Sequence, residues 1–567
     1  MKAPKVIVPV VVLAAVAAFF AVPELRGLLG PGEMSYQDAS AEIAAMAEDI
    51  RPAEAWVKHR KQLPGLQKKD LTATLPEITE FPLVVRPAAG NTATVAEIFV
   101  SSEKSGQNAD GWMREGALAF NRSGATTSGG KRSQVAIRKI ASGTGYQFIA
   151  AGKHVPDGFS PSNHLWIEMA RAHSVPTQVI SEKLLANAAG IVMKSEVAER
   201  LRERYQTLDI PNLLDAVVQG ELVMGYTNPF ASSTGLNFLV TVLSQFAAGD
   251  AEKLLDASVV SAFESFQRGV PFVALTTLQM RESVQNDGSL DAFVMEHQTF
   301  ARTPELASGY EFLPFGIVHD NPLYAVGNIS SEKLEVLQQF GKYLSGSQWT
   351  QKATQFGFNQ GPQHKNSYVM PAGAQLIQAQ KLWKEKKDSG RPVMAVFLCD
   401  VSGSMRGQRL AGLKAALRDG SDFISPDNSI GLVAFSNEVS KLLPIKKFSI
   451  NHKATFHAAV DTMSAGGNTA MYDGVAVALD MLVSAHASQP QSKPILFVLS
   501  DGETNRGLHF AELQGAVSGL QIPVYTIGYE ANLAELGRLS SLVEAATINA
   551  DAGEIRFKIG ALLNAQM

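Results

Sequence analysis

The chain has 567 residues, which is too long for one hydrophobic core and indicates about three or four domains. Its 50 basic and 54 acidic residues give a net charge of −4, and no basic stripe with interleaved aromatic residues indicates nucleic-acid binding. The single cysteine, Cys399, excludes an intramolecular disulfide and cysteine-based metal sites.

Residues 1–30 contain an apolar segment that predicts a membrane anchor. Lys2 and Lys5 precede an uncharged run of 17 residues, Val6 to Val22, which is at the lower limit for a membrane span. Positive residues before the run predict a cytoplasmic N-terminus. We therefore expect a single-pass protein of the inner, cytoplasmic membrane whose bulk is periplasmic or extracellular.

Two alternatives to this anchor remain open. Residues 15–17, Ala-Val-Ala, have the small-x-small form of a signal-peptide cleavage site, although they lie within the apolar run. A buried globular helix is the other alternative, but a run this apolar has no polar face for solvent. An anchor or a signal peptide would each place the chain after Pro23 outside the cytoplasm.

Residues 31–90 are predicted to form a helical stalk. Within Ala39 to Val57, apolar residues recur at intervals that suit an amphipathic helix: Ile43, Met46, Ile50 and Trp56. The pattern fits a spacer, and it equally fits a helix that packs on a neighbouring part of the chain.

Residues 91–365 alternate strands and helices, with hydroxyl-rich and glycine-rich turns between them. The strand that begins near Val95 runs into such a turn at Ser101, and similar turns occupy residues 141–145, 156–163 and 225–236. This succession resembles the periplasmic solute-binding proteins of the type II fold. The resemblance implies two α/β lobes that close on a small ligand by a hinge.

Hydroxyls and free amides at helix starts can bind an anion or a polar solute without a formal charge. The predicted ligand-binding residues are Ser101, Ser102, Ser142, Thr144, Ser160, Ser162 and Ser233. Helix capping is the alternative role for each of them. No signature of one particular solute is present, so the ligand stays open and the module could equally be vestigial.

Ser101 and Lys104 have the Ser-x-x-Lys spacing of the nucleophile in penicillin-recognising enzymes. No Lys-Thr-Gly or Ser-Asp-Asn sequence accompanies them, so chance explains the match better. The chain also lacks a phosphate-binding loop of the Gly-x-x-x-x-Gly-Lys-Ser/Thr type, a His-Glu-x-x-His sequence and a Gly-x-Ser-x-Gly sequence.

Residues 366–390 are predicted to form a helical linker. Ala372 to Lys387 has a helical pattern with basic residues at its end, and Asp388 to Pro392 interrupts it. A single helix followed by a tight turn restricts domain motion more than a Gly/Ser linker would.

Residues 391–567 alternate short apolar strands with amphipathic helices, which predicts a doubly wound parallel sheet. The predicted strands are Val393 to Cys399, Ile430 to Phe435, Ile495 to Leu499 and Val524 to Ile527. The first strand leads into Asp400, Ser402 and Ser404, and the third leads into Asp501. The ends of parallel strands are where open α/β sheets bind ligands.

An oxygen-only set of carboxylates and hydroxyls suits a hard cation. The set is Asp400, Ser402, Ser404, Thr469 and Asp501, and its order and setting resemble the metal-ion-dependent adhesion site of von Willebrand factor type A domains. The resemblance implies a bound divalent cation, with magnesium expected and manganese or calcium as alternatives. It also implies an open coordination position for a carboxylate of a partner protein.

Together these observations predict an α/β protein that joins a two-lobed solute-binding-like module to a Rossmann-like von Willebrand factor type A domain, with an N-terminal transmembrane helix. We expect a binding protein rather than an enzyme, whose partners are a protein carboxylate, a small polar or anionic solute and the membrane. Two alternatives are an envelope adhesin or scaffold with a vestigial solute-binding module and a chaperone-like partner of an ATPase.

Overall fold

The structure of the chain is a computed structural model. It describes residues 34–61, 75, 77–87, 93–270, 272–274, 280, 290–387, 391–502, 504–529, 533–542, 547–550, 559–560, 562–563 and 566–567. The apolar run Val6 to Val22 lies outside the described residues. Within the described part of the chain, no helix is both long enough and apolar enough to cross a bilayer.

The strands are numbered in chain order. They are β1 (Leu83–Val85), β2 (Ala93–Val100), β3 (Arg132–Lys139), β4 (Gly158–Ser160), β5 (Thr177–Ser181), β6 (Asn187–Lys194), β7 (Met224–Thr227), β8 (Phe272–Ala274), β9 (Ala292–Glu296), β10 (Tyr310–His319), β11 (Leu323–Val326), β12 (Val393–Asp400), β13 (Ser429–Phe435), β14 (Val439–Lys447), β15 (Lys493–Ser500), β16 (Val524–Tyr529) and β17 (Thr547–Ala550).

The α-helices are numbered in the same way. They are α1 (Tyr36–Ile50), α2 (Ser102–Ser105), α3 (Trp112–Arg122), α4 (Ser142–Ala150), α5 (Leu165–Ala172), α6 (Ser195–Tyr205), α7 (Ile210–Val218), α8 (Ser233–Phe246), α9 (Ala257–Arg268), α10 (His297–Ala301), α11 (Pro304–Ala307), α12 (Ser331–Leu344), α13 (Ser347–Gln355), α14 (Gly373–Lys386), α15 (Gln408–Gly420), α16 (Ile450–Thr462), α17 (Met471–Ser488), α18 (Phe510–Leu520) and α19 (Leu533–Ser541).

The chain divides into two compact units, and neither is one continuous segment. The first unit comprises the described parts of Met1–Gly65, Pro392–Lys414 and Ser425–Ala552. The second comprises those of Leu66–Arg391, Ala415–Ile424 and Gly553–Met567.

The first unit contains a six-stranded sheet in the order β14-β13-β12-β15-β16-β17. The five strands from β13 to β17 in this order are parallel to one another. The edge strand β14 is antiparallel to β13. The four predicted strands are therefore neighbours in one parallel sheet. β12 is buried along its whole length, as its continuous apolar sequence predicts for a central strand.

The predicted stalk helix belongs to the core of this first unit. Ala39, Ile43 and Ala47 are buried on one face of α1 and join the cluster of apolar residues around α17 and α18. These positions are four residues apart, so they lie on one side of the helix. Of the two roles that its amphipathic pattern allowed, α1 therefore has the packing role.

The residues after α1 cover the edge of the sheet. Ala53 N donates to Val439 O at 2.8 Å, and Lys441 N donates to Ala53 O at 2.8 Å. Val57 N continues the pairing by donating to Leu442 O at 2.9 Å. The backbone groups of β14 that face away from β13 are thus partly paired within the chain.

The second unit contains two sheets, which form two lobes. The first sheet has the order β1-β3-β2-β4-β11-β5, and the second has the order β10-β6-β9-β7-β8. The chain passes from the first sheet to the second between β5 and β6, and it returns between β10 and β11. Two connections between two sheets provide the chain path of a hinge. The mixed α/β class predicted from the sequence is confirmed.

Candidate functional site

The parallel sheet of the first unit brings two aspartates to one edge. β12 ends at Asp400, and the adjacent strand β15 ends at Ser500, directly before Asp501. Because the two strands are parallel, their carboxyl ends open on the same side of the sheet. Asp400 and Asp501 therefore face the turn that follows β12.

Asp400 is fully buried and accepts hydrogen bonds from the turn after β12 and from the last residue of β15. Its Oδ1 accepts from Ser402 N at 2.7 Å, and its Oδ2 accepts from Ser500 Oγ at 2.6 Å. Burial raises the pKa of the Asp400 carboxyl, and the nearby Asp501 charge adds to that rise, while the hydrogen bonds from Ser402 and Ser500 oppose it. A cation at this point would favour the ionised carboxylate.

Ser402, Ser404 and Asp501 form a chain of oxygen atoms. Ser404 Oγ donates to Asp501 Oδ1 at 2.8 Å, so the Ser402 hydroxyl, 2.9 Å from Ser404 Oγ, donates to Ser404. Magnesium takes oxygen ligands at about 2.0–2.1 Å in an octahedron, where neighbouring ligand oxygens lie about 2.9 Å apart. The hydrogen-bond distances between these three oxygens are also compatible with adjacent positions in such a shell.

Arg409, near the start of α15, supplies a positive charge beside this oxygen chain. Its Nη1 donates to Asp501 Oδ2 at 2.9 Å, and the Asp501 side chain is 6% exposed. Oδ2 therefore pairs with Arg409 while Oδ1 faces Ser404. The guanidinium neutralises one of the two carboxylates at the sheet edge.

Thr469 lies on a loop that is hydrogen-bonded to the serine-bearing turn. Gly403 N donates to Gly467 O at 2.9 Å, and Gly466 N donates to Val401 O at 2.8 Å. Gly467 has φ +83°, a conformation that glycine adopts without strain. Thr469 is buried, and its N donates to Asn505 Oδ1 at 2.9 Å.

The structure therefore links four of the five predicted metal ligands through direct hydrogen bonds or a shared turn, and it joins the loop of Thr469 to them through backbone bonds. Ser500, Arg409 and Asn505 are contacts that the sequence reasoning missed. The Ser500 contact could have been predicted, because this hydroxyl comes directly before the predicted aspartate. The Arg409 contact had no indication in the sequence beyond the position of Arg409 in the helix after the turn.

The predicted ligand-binding hydroxyls of the second unit are also close together, but they are turned inward. Ser102 is half-buried, and the others are at most 5% exposed: Ser101, Ser142, Thr144, Ser160, Ser162 and Ser233. Ser162 N donates to Ser142 Oγ at 3.3 Å, and Ser233 Oγ accepts from Trp166 Nε1 at 2.8 Å.

Ser101 and Ser162 both bond to a buried ion pair that the sequence analysis did not single out. Ser162 Oγ donates to Glu103 Oε1 at 2.7 Å, and Ser101 Oγ donates to the same oxygen at 2.5 Å. Lys104 Nζ lies 3.7 Å from that oxygen and donates to Ser101 Oγ at 2.6 Å. Ser101 and Lys104 thus contact each other, but both side chains are buried away from any substrate.

Comparison with known proteins identifies a domain that includes most of the six-stranded sheet of the first unit. Residues 395–555 match the family model of the von Willebrand factor type A domain. Inter-alpha-trypsin inhibitor heavy chain H1 of Mesocricetus auratus is 31% identical over 146 residues, which are 24% of this chain and 16% of that protein. Heavy chain H3 of Homo sapiens is 29% identical over 154 residues, 25% of this chain and 17% of that protein. The matched region thus spans less than a fifth of these relatives.

Solved structures show more distant similarity. A von Willebrand factor type A protein from Catenulispora acidiphila has 18% identity and a TM-score of 0.29, covering 31% of this chain and 42% of that chain. Proximal thread matrix protein 1 of the mussel byssus, with a zinc-occupied MIDAS motif, has 20% identity and a TM-score of 0.27, covering 30% and 48%. The sulfate-binding protein SubI of Mycobacterium tuberculosis has 13% identity and a TM-score of 0.34, covering 51% and 96%.

Proposed function

We propose that the von Willebrand factor type A domain of this chain binds a partner protein through a divalent cation. Asp400, Ser402, Ser404, Thr469 and Asp501 are the proposed ligands, and magnesium is the proposed ion. The ion would supply a Lewis-acidic position for a carboxylate of the partner. The proposed function is binding rather than catalysis, since an open coordination position on the ion would be filled by the partner carboxylate.

The spacing of the oxygen atoms at the sheet edge carries this proposal. Ser402 Oγ, Ser404 Oγ and Asp501 Oδ1 are joined by hydrogen bonds of 2.9 Å and 2.8 Å, so they are close enough together to occupy adjacent positions around one magnesium ion. Among the described residues, no cluster of three or more histidine, cysteine, aspartate or glutamate side chains could hold a metal ion. The mixed set of hydroxyls and carboxylates is therefore the candidate.

Calorimetric titration of the full chain with magnesium chloride and with manganese chloride tests the proposal. Wild type is expected to bind one ion, and Asp400→Ala is expected to lose that binding while its circular dichroism spectrum stays that of a folded protein. Ser484→Ala, which changes an exposed hydroxyl on α17, is the matched control and should bind like wild type. Equal binding by wild type and Asp400→Ala would place the ion elsewhere.

We further propose that the protein is anchored in the inner membrane by Val6 to Val22, with a cytoplasmic N-terminus and its two units outside the cytoplasm. The support is the apolar run that Lys2 and Lys5 precede. Membrane fractions are expected to contain full-length protein. A soluble mature form that starts between about residues 18 and 31 would instead indicate a signal peptide.

For the second unit we propose a scaffold role rather than that of a solute receptor. The support is that two of the hydroxyls expected to bind a solute, Ser101 and Ser162, donate to Glu103 of the same chain. The side of the membrane on which the C-terminus lies separates this role from that of a cytoplasmic ATPase partner. A reporter enzyme that is active only outside the cytoplasm, fused after Met567, measures that position. We expect the reporter to be active.

A further inference from the structure

The buried hydroxyl cluster of the second unit contains a carboxylate of its own. Glu103, in the short helix α2 after β2, has a side chain that is 10% exposed. Its Oε1 accepts hydrogen bonds from Ser101 and Ser162, two of the hydroxyls at the predicted solute site. Burial alone would raise the pKa of Glu103, but the Lys104 charge and these hydroxyls lower it, so the group is an anion at neutral pH.

Lys104 completes the surroundings of this carboxylate. Its ammonium group is fully buried and has three acceptors: Ser101 Oγ at 2.6 Å, Asn321 Oδ1 at 3.0 Å and Pro161 O at 3.1 Å. An ammonium group has three protons, so these three bonds use all of them. The ammonium group is therefore saturated with hydrogen bonds, and its charge balances that of Glu103.

The partners of the ion pair come from separate parts of the unit. Ser101 follows β2, and Ser162 follows β4, which is paired with β2 in the first sheet. Asn321 lies in the connection that returns from the second sheet to the first, and its N donates to Ser162 O at 2.9 Å. Asn321 has φ +48°, which asparagine tolerates better than most residues. The pair thus bonds the loops of one lobe to the connection between the lobes.

Separate hydrogen bonds join the two lobes directly. Gly143 N, at the start of α4, donates to Ala231 O at 3.1 Å, in the loop between β7 and α8. A free amide at this helix start would be the donor for an anion, and here it is bonded to the other lobe. Asn163 Nδ2 likewise donates to Ser233 O at 3.3 Å.

We propose that Glu103 is a built-in ligand, whose carboxylate occupies an anion-binding site made by Ser101, Ser162 and Lys104 and so takes the place of a solute there. The site has the donors that a small monocarboxylate needs, and the chain supplies that carboxylate itself. It follows that wild type does not bind free formate or acetate at this site. Removal of the Glu103 side chain beyond Cβ turns the site into a receptor for such an anion.

Physical reasoning gives the expected behaviour of the variants. Glu103→Ala leaves the buried Lys104 charge without its counter-ion and two hydroxyls without their acceptor, which is a strongly destabilising change. A free formate ion that binds only the folded variant restores stability by mass action. Glu103→Gln removes the charge but keeps the side-chain volume, so that it is destabilised without leaving space for formate.

The test is the melting temperature of the full chain in sodium formate and in sodium chloride at equal ionic strength. Glu103→Ala is expected to melt several degrees below wild type in chloride and to show a saturable rise in formate. Wild type and Glu103→Gln are expected to show no such rise. Glu115→Ala, which removes a half-exposed glutamate paired with Lys352 in the same unit, is the matched control and should not respond to formate.

Two results would overturn the proposal. A saturable rise of wild type in formate or acetate would mean that the site is open, and equal melting of Glu103→Ala in formate and chloride would mean that no anion site is formed. If Glu103→Ala does not fold, the test is made with two single variants and their combination. The melting temperatures of Glu103→Gln, Ser162→Ala and the double variant Glu103→Gln/Ser162→Ala are then compared. A built-in ligand requires that their losses of melting temperature be strongly non-additive, whereas additive losses contradict it.

Discussion

Arg409 and Asp501 form an ion pair at the edge of the parallel sheet, with Nη1 2.9 Å from Oδ2. The other oxygen of the same carboxylate, Oδ1, accepts from Ser404 Oγ. Asp501 is therefore shared between a permanent cation of the chain and the oxygen chain proposed to bind a metal ion.

Arg409→Gln is expected to raise the affinity for magnesium by roughly three- to tenfold, because it removes a positive charge that repels the ion across a partly solvated site. Calorimetric titration at constant ionic strength measures the change. Lys446→Gln removes an exposed positive charge on β14 and should leave the affinity unchanged. A lower affinity of Arg409→Gln would mean that the guanidinium chiefly holds Asp501 in position.

Ile43→Ala is expected to destabilise the first unit by about 2–5 kcal/mol, the usual loss for a buried isoleucine. Ile43 is fully buried on the face of α1 that contacts the core of this unit. Urea unfolding followed by tryptophan fluorescence and circular dichroism measures the loss. Glu48→Ala changes an exposed position of the same helix and should stay within about 0.5 kcal/mol of wild type.

If Ile43→Ala were as stable as wild type, α1 would contribute nothing to the first unit. The same comparison made with magnesium titration separates stability from binding. Ile43→Ala should still bind the ion at temperatures where it is folded, because α1 contains none of the proposed ligands.

Gly143→Ala tests the closure of the two lobes of the second unit. Alanine is favoured over glycine inside a helix by about 1 kcal/mol. A Cβ atom at this position, however, would lie 2.0 Å from Phe230 O, and a backbone atom cannot move aside alone. We therefore expect a net loss of about 1–3 kcal/mol or a separation of the lobes.

Chemical unfolding measures that loss, and small-angle X-ray scattering detects a separation. Gly129→Ala is the control, since a Cβ atom there would meet its neighbours only at ordinary contact distances of 3.6 Å and 3.8 Å. A stabilised and unexpanded Gly143→Ala would show that the lobes are not in contact at this point.

Lys104 predicts a dependence of stability on pH. Burial lowers the pKa of Lys104 from 10.5 to about 8, although the charges of Glu103 and Glu296 oppose this shift. Glu296 also contacts His319, which lies 3.0 Å away. Between pH 8 and pH 10.5 the unfolded chain therefore binds more protons at this lysine than the folded chain does, so this group makes unfolding less favourable as pH rises.

The free energies of unfolding of wild type and Lys104→Met should be measured from pH 7.5 to pH 10.5. The difference between the two proteins is expected to shift in favour of wild type as the pH increases. Parallel pH profiles would show that Lys104 titrates alike in the folded and unfolded chains.

The sequence predicted the positions of Asp400 and Asp501 well because the direction of parallel strands determines which ends meet. It could not predict the Arg409 contact, which depends on how far α15 is rotated after the turn. For α1, the apolar spacing predicted a buried face but not the partner of that face, which is more than 400 residues away in sequence at Leu513.

The buried hydroxyl cluster of the second unit shows a different limit of prediction from sequence. The hydroxyls of Ser101 and Ser162 were predicted to donate to a solute, but a donor can serve a free solute or a neighbouring side chain equally well. Only the fold shows that the adjacent Glu103 and Lys104 are both buried.

The discontinuity of the first unit affects how the protein is made. Its N-terminal segment is synthesised before residues 66–391, whereas every strand of its sheet is synthesised after them. During translation, the apolar face of α1 is therefore made before its native partners. It lacks them while some 330 residues of a different unit are synthesised. Ribosome-bound chains that stop before Pro392 are the species in which that face is available to chaperones and proteases.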